Sequence, residues 1–415
     1  MLVARRAAPT TDADMPFPDP QPDPSVLPAF LRLCGTRAWK ARLEDLERRA
    51  RAGRLQGRAT QARHALEIAL ARLMDPEALA RASLAERRIL GLAREAVSLA
   101  STLPSAQRNR LKDCILAGLT GEGTLIPFFH QLRTAARYRA RGFRVEFAGL
   151  LDNAGHDLLI RRGSAEAEVI CEIVSAEEGR PVHRGDWYAL VDRINPDLQR
   201  WLASHPGRYL LKMMLPEGLS GGERLAELHA RIMTMLEQQS RQRADGAAVL
   251  KLDPLMLAGA QASDGPGALQ LRLREQFGPE AHLAVTGSAS GGSVFVMAAR
   301  AGRENEVAQA VARRLATAAE RLDGRRPGIL AVFLEELERG EWRALRDTLE
   351  LEGAVRRFLT TAPARRVAAV SCASRMELFG MAPPDSAPEG ELRFRNPSHP
   401  QGHNADLAPA VLSLA

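Results

Sequence analysis

Apolar residues recur at helical spacing through the first third of the chain. Trp39, Leu43 and Leu46 stand at i, i+4 and i+7, and Leu66, Ile68, Leu70, Leu73, Leu79, Leu84, Ile89, Leu90 and Leu92 carry the stripe onward. Arg and Glu fill the gaps as solvated faces with i,i+4 ion pairs. Residues 29–120 are therefore expected to be a helical region without chemistry of its own, His64 being an ordinary surface or boundary histidine. From residue 121 the period changes. Residues 124–141 keep helical spacing and stop at Gly142, a C-cap signal. Residues 143–147 alternate as a half-buried strand, 156–160 form a second and 168–174 a third, with turn residues at 152–155 and a hairpin signal at Arg162-Gly163-Ser164. A helix over 187–202 and a strand over 208–214 complete the order α-β-β-β-α-β.

Beyond this, the pattern predicts a helix over 222–243, a strand over 247–252, strands near 293–299, 328–334 and 366–372, and helices over 303–322 and 341–360. Seven prolines, at 9, 16, 18, 20, 22, 24 and 28, mark residues 1–28 as a disordered leader, with Met15 as an alternative start. The expected organisation is a leader (1–28), a helical region (29–120), an α/β core (121–257), a C-terminal α/β region (258–395) opening on a Gly/Ala/Ser-rich boundary at 258–268, and a loop-like tail (396–415).

Composition narrows the class. Of 415 residues, 45% are hydrophobic and 26% charged, as in ordinary globular protein. No apolar run approaches the roughly 18 residues of a transmembrane helix, and the N-terminus has no secretory h-region. Cys34, Cys114, Cys171 and Cys372 lie far apart, which suggests neither a disulfide framework nor a zinc site and fits a reducing cytoplasm. The net charge is +7, compatible with phosphate contacts to DNA or RNA. Only four of the 57 basic residues are lysines (Lys40, Lys112, Lys212, Lys251), a bias that itself accounts for much of the basicity and limits any catalytic lysine to four positions. Gly287–Ser293 is glycine-rich but lacks the lysine of a phosphate-binding loop and reads as a hairpin turn.

The segment from 121 to about 216 carries the candidate chemistry. Phe128-Phe129-His130-Gln131-Leu132, Gly142–Phe147, His156-Asp157-Leu158-Leu159, Glu168–Ser175 and Gly179-Arg180-Pro181-Val182-His183-Arg184 follow one another in an order that resembles the PD-(D/E)XK, restriction-endonuclease-like nuclease superfamily. Arg326-Pro327-Gly328-Ile329-Leu330 and Asn396-Pro397 are more weakly similar. The resemblance implies a restriction-endonuclease-like mixed-sheet core. It also implies a carboxylate-held Mg²⁺ that activates water for phosphodiester hydrolysis. Carried over by position, Asp157 matches the first strand acid, Ile170 the second acid, Glu172 the lysine and Gln131 the helix glutamate. Three of these four positions depart from the pattern, and an isoleucine cannot bind a hard cation.

Strand alternation sharpens the question. Glu168, Ile170 and Glu172 share one face, and Val169, Cys171 and Ile173 share the other, which is expected to be buried. The two glutamates are about 13 Å apart and cannot share one ion. A two-residue hairpin loop, Gly163-Ser164, sets Asp157 opposite Ile170. A loop over 162–167 sets it opposite Glu172 and permits a relocated Asp157/Glu172 metal site, with Lys212 as the nearby cation. Alternatively Asp157 is a strand-entry residue, Glu172 pairs with an arginine such as Arg193, and Lys212 merely snorkels. Arg180, His183 and Arg184 form a basic loop that either contacts phosphates or is simply a solvated loop. Three functions remain open: a degraded nuclease retained for nucleic-acid binding or assembly, an active metal-dependent nuclease with a rearranged site, and an α/β scaffold unrelated to nucleic acid.

Overall fold

The computed structural model describes residues 23–255, 266–278, 280–288 and 292–412. Most of the expected leader, most of the 258–268 boundary and part of the 287–293 turn lie outside the described residues; helix Val26–Cys34 begins within the expected leader. The described strands are β1 (Arg144–Glu146), β2 (Leu158–Arg162), β3 (Ala165–Ser175), β4 (Arg208–Leu215), β5 (Gln242–Ala244), β6 (Val249–Pro254), β7 (His282–Gly287), β8 (Val294–Ala301), β9 (Gly328–Glu335), β10 (Val367–Ser374) and β11 (Leu392–Arg395). The architecture is mixed α/β with two mixed sheets. No described helix is long and apolar enough to cross a membrane.

The chain divides into two compact units that cut across the expected boundaries. The first comprises Met1–Arg42, Leu66–Val174 and Val311–Ala415, and the second Leu43–Ala65 and Ser175–Ala310. The helical residues 29–120 are thus shared between units, and His64 is buried rather than at the surface.

In the first unit the sheet order is β1-β2-β3-β9-β10-β11. The meander β1-β2-β3 is antiparallel, β9 and β10 are parallel, and β11 closes the far edge antiparallel to β10. β3 bonds to β9, not to β4, and Glu168 N donates to Pro327 O at 3.0 Å. This corrects the expected core over 121–257. The strand 208–215 belongs to the other sheet, and the helix preceding the true neighbour of β3 is Val307–Ala319. Composition explains the choice. β9 reads Gly-Ile-Leu-Ala-Val-Phe-Leu and is buried at all seven of these positions, whereas β4 carries Lys212 and an exposed Met214. A strand buried on both faces needs a continuous apolar run.

The central position of β3 also corrects the facing argument. Val169 is buried, but Cys171 and Ile173 are only half-buried, while Glu168 and Ile170 on the other face are fully buried. Burial thus falls on residues of both faces and eases on both over residues 171–173.

Helix Ile126–Ala140 is bound to the sheet's far end by arginines at i, i+4 and i+8. Arg133 and Arg137 reach the carbonyls of Gly390 and Glu389, and Arg141 pairs with Glu391 at 2.7 Å. Burial opposes the Glu391 charge, but these guanidiniums outweigh it and hold its pKa at about 2. The expected helix over 341–360 is two helices, Arg339–Asp347 and Glu350–Leu359, broken where Leu349 takes φ 59°.

In the second unit the order is β5-β6-β4-β8-β7, with β4 and β8 parallel. Helices Arg184–Ser204 and Gly222–Glu237 cover one face through Trp187, Ile194, Leu198, Ile232 and Met235. Leu273 of helix Pro266–Phe277 packs on Leu210, Leu283 and Val296.

The β2–β3 turn is the short one, since Arg162 pairs with Ala165. Gly163 has φ 56°, and a Cβ there would lie 2.5 Å from Asp406 Oδ2, which accepts from Ser164 N at 3.0 Å. Gly163→Ala is expected to lower stability by about 1–2 kcal/mol, the cost of a left-handed non-glycine residue. A urea midpoint unchanged from wild type would show that the turn relaxes without penalty.

Candidate functional site

With the two-residue turn, Asp157 falls opposite Ile170, one step beyond the Leu158–Val169 pair. The register that would place it opposite Glu172 does not occur. Asp157 N donates to Val169 O at 3.0 Å, and its carboxylate then continues the ladder, Oδ2 accepting from Cys171 N at 2.8 Å. Here a side chain does the work of a backbone acceptor, as polar residues at strand entries often do.

Three further groups converge on this carboxylate. Gln131, from helix Ile126–Ala140, donates to Oδ1 at 3.1 Å. Arg321 donates through Nη1 to Glu172 Oε1 at 2.6 Å, reaches Asp157 Oδ2 with Nη2 at 3.4 Å, and donates through Nε to Gly155 O at 3.0 Å. One guanidinium therefore spans the two carboxylates that sequence reasoning offered to a metal. The partner of Glu172 is Arg321, not Arg193. Burial raises the Asp157 pKa above the ordinary carboxylate value, and the Cys171 N–H and the Arg321 charge pull it back.

Beside this cluster an alternating series of charges crosses the meander. Arg161 donates to Glu166 at 2.7 Å and pairs with Glu146 at 2.5 Å. Arg326 donates to the other Glu166 oxygen at 2.7 Å. Glu168 has no exposed surface and neither of its oxygens makes a hydrogen bond. Its nearest charged atoms are Arg326 Nη1 at 3.6 Å and His156 Nδ1 at 3.7 Å.

Glu168, Gln131, Asp157 and Glu172 are thus gathered in one region of the first unit. Lys212 is not among them. It lies on β4 in the second unit and pairs with Asp253 at 3.1 Å, which removes it as the cation of this site. The residues present do not fit a divalent cation. Both Asp157 oxygens accept hydrogen bonds, Glu172 is held by a guanidinium and Ile170 offers no ligand. Among the described residues no group of three His, Cys, Asp or Glu side chains is placed to hold a metal.

The basic loop also differs from expectation. Arg180 is buried and ion-paired with Glu177, whose other oxygen accepts from Arg184 N at 2.6 Å. His183 sits at the N-cap of helix Arg184–Ser204, 3.7 Å from Asp186. The loop folds onto its own carboxylate because a buried guanidinium needs a counter-charge. Elsewhere in the second unit, a cavity of about 500 Å³ is lined by Gly53, Arg54, Gln56, Asp192, Arg193 and Asn195. The Asp192 carboxylate is taken up by Leu55 N at 2.9 Å and Gln56 N at 2.8 Å, while Arg54 and Arg193 are exposed.

Sequence reasoning missed Arg321, Asp323 and Arg54, and valued Arg326 only as part of a weak C-terminal similarity. Arg321 stands 149 residues from Glu172, so no local spacing could announce it. No family model, no curated protein and no solved structure matches the chain.

Arg321→Gln is expected to destabilise by about 1–2 kcal/mol, since bonds to charged groups are worth more than neutral ones but Arg321 is partly exposed. Adding Asp157→Asn should cost less in that background than in wild type, because the carboxylate has already lost its counter-charge. Strictly additive losses in a double-mutant cycle would deny the coupling.

Proposed function

We propose that the chain is a catalytically silent, nuclease-like protein that acts by binding nucleic acid. The observation that carries the first half is the placement of Arg321 across Asp157 and Glu172. The first unit offers an antiparallel meander, a helix presenting Gln131 to the first strand acid, and Ile170 opposite that acid where a second carboxylate would complete a metal site. These features support descent from a restriction-endonuclease-like core. A guanidinium satisfies two carboxylates but has no open coordination position at which to ionise water. Such a site keeps its shape and loses the hydrolysis.

Binding to nucleic acid rests on the net charge of +7 and on where unpaired cations stand. Arg180 is buried and neutralised. Arg54 and Arg193 are exposed and line one cavity, and the only carboxylate lining it is already engaged. Phosphate oxygens are the ligands that two exposed guanidiniums of this kind take.

Purified protein is expected to show no Mg²⁺- or Mn²⁺-dependent cleavage of DNA or RNA. Cleavage abolished by Asp157→Ala and by Glu172→Ala would overturn the silent reading. Binding to an oligonucleotide should weaken steeply with salt. Arg54→Ala with Arg193→Ala should lower the salt slope by about 1 for each phosphate contact removed. Arg180→Ala should leave binding intact as long as the protein folds. Binding unaffected by the Arg54/Arg193 pair would refute this assignment.

A further inference from the structure

Glu168 is the most anomalous polar group among the described residues. Its side chain is 1% exposed, and both carboxylate oxygens are buried without a hydrogen bond. An ionised carboxylate in such a place costs several kcal/mol. The groups facing it come from two elements besides its own strand. From the entry to β2 come His156, 3.7 Å away with its own Nε2 buried and unbonded, and Asp157 beyond it. From the segment 320–327, between helix Val307–Ala319 and β9, come Arg326 at 3.6 Å and Asp323, with Arg325 3.9 Å from Asp323. On β3 itself, Glu166 occupies Arg326 and Arg161. Arg326 is thus divided between Glu166, which it shares with Arg161, and Glu168, while Asp323 has Arg325 as its own cation.

We propose that Glu168 is a proton-gated latch: as the neutral acid it lets the segment 320–327 close over β3, and its ionisation loosens that segment and, with it, the hold of Arg321 on Asp157 and Glu172. The geometry explains the direction. The Glu168 N–H bonds Pro327 O at 3.0 Å, so the residue that carries the acid is tied by its backbone to the end of the segment it would release. When Glu168 is neutral, its proton can lie between it and Asp323, and Arg326 serves Glu166. When it is charged, it meets the Asp323 carboxylate with only the Asp323 N–H and a distant Arg326 to offset the repulsion, and the least costly relief is for the segment carrying Asp323 to move away. Arg321 is in the same segment, two residues before Asp323. The latch is independent of what the chain binds.

The titration agrees in sign. Burial, then the Asp323 charge, raises the Glu168 pKa above its ordinary 4.5, with Arg326 and the Asp323 backbone N–H opposing. The folded state therefore holds a proton that the unfolded state has lost. The stabilisation is complete below about 4.5 and disappears as pH rises through the folded value. His156 works in the opposite sense. Burial, then Arg326, lowers its pKa, so its contribution falls as pH drops below 6.5. Glu168→Gln separates the two, because it fixes the neutral form and leaves His156 in place.

The test is hydrogen exchange of the full chain, corrected for intrinsic rates, between about pH 5 and pH 8, where a raised carboxyl titrates. In wild type, protection at Glu168 and over 321–328 should fall with rising pH, by about tenfold for each unit by which the acid is raised. In Glu168→Gln the fall should vanish, and in Asp323→Asn it should begin at lower pH. Protection that is flat in wild type, or that falls equally in Glu168→Gln, overturns the latch. Should the variants fail to fold, the ¹³C shift of the wild-type Glu168 carboxyl decides: titration at the ordinary value refutes the proposal, and titration above it upholds the gate.

Discussion

The two-residue turn at Gly163-Ser164 fixes everything placed on β3. With Arg162 opposite Ala165, each β2 residue has one partner, and a slip by one would turn every β3 side chain to the other face. Asp406 secures the turn from outside the meander, its carboxylate accepting both the backbone N–H and the hydroxyl of Ser164. Three consequences follow from this one register. Asp157 lands where its carboxylate can take the Cys171 N–H. Glu166 lands directly opposite Arg161. Glu168, two residues further on, lands beneath the segment that leads into β9.

The register also decides what kind of positive charge the acids receive. Two carboxylates close together are unstable unless a cation lies between them. A small divalent ion requires several oxygens converging at about 2 Å. Asp157 at the entry to β2 and Glu172 on β3 are offset along the strand direction, so they do not converge on such a point. A guanidinium is long and planar and presents donors along its edge, which suits two acceptors set apart. Arg321 therefore serves here as a structural cation. Arg321 is itself partly exposed while the two carboxylates are mostly covered, and Asp157 takes its remaining bonds from Gln131 and the Cys171 N–H on the protein side.

How much of this could be read from the sequence depended on range. The helix carrying Gln131, the three strands of the meander and the hairpin glycine were legible, because each is announced by a period or a turn residue within ten positions. The meeting of Gln131, Asp157 and Glu172 leaves no local signal, since the three stand on a helix, a strand entry and a strand with no common period. The neighbour of β3 was not legible. Strands 208–215 and 328–335 are both apolar and both follow a helix, and only the two-sided burial of β9 separates them. Arg321 and Asp192 were invisible for the same reason. A pairing across 149 or 137 residues leaves no periodic trace. The parity argument on β3 failed because it supposed one covered face, whereas an interior strand has two.

The long interruption between β3 and β9 poses a physical problem that the second unit solves within itself. Closing a flexible loop costs entropy that grows only slowly with length, but an inserted folded body must also bring its two ends together. Gly179 lies just inside its entry and Glu306 just before its exit, and Glu306 N donates to Gly179 O at 2.6 Å. A Cβ on Gly179 would meet the Val307 Cα at 2.5 Å and its N at 2.6 Å, both backbone atoms that cannot swing aside. Glycine at 179 is thus what allows the two ends to touch. A sequence reading that valued this residue as the start of a basic loop missed a steric requirement: the Gly179-Arg180 pair closes the base of the insertion, with the arginine turned inward to Glu177.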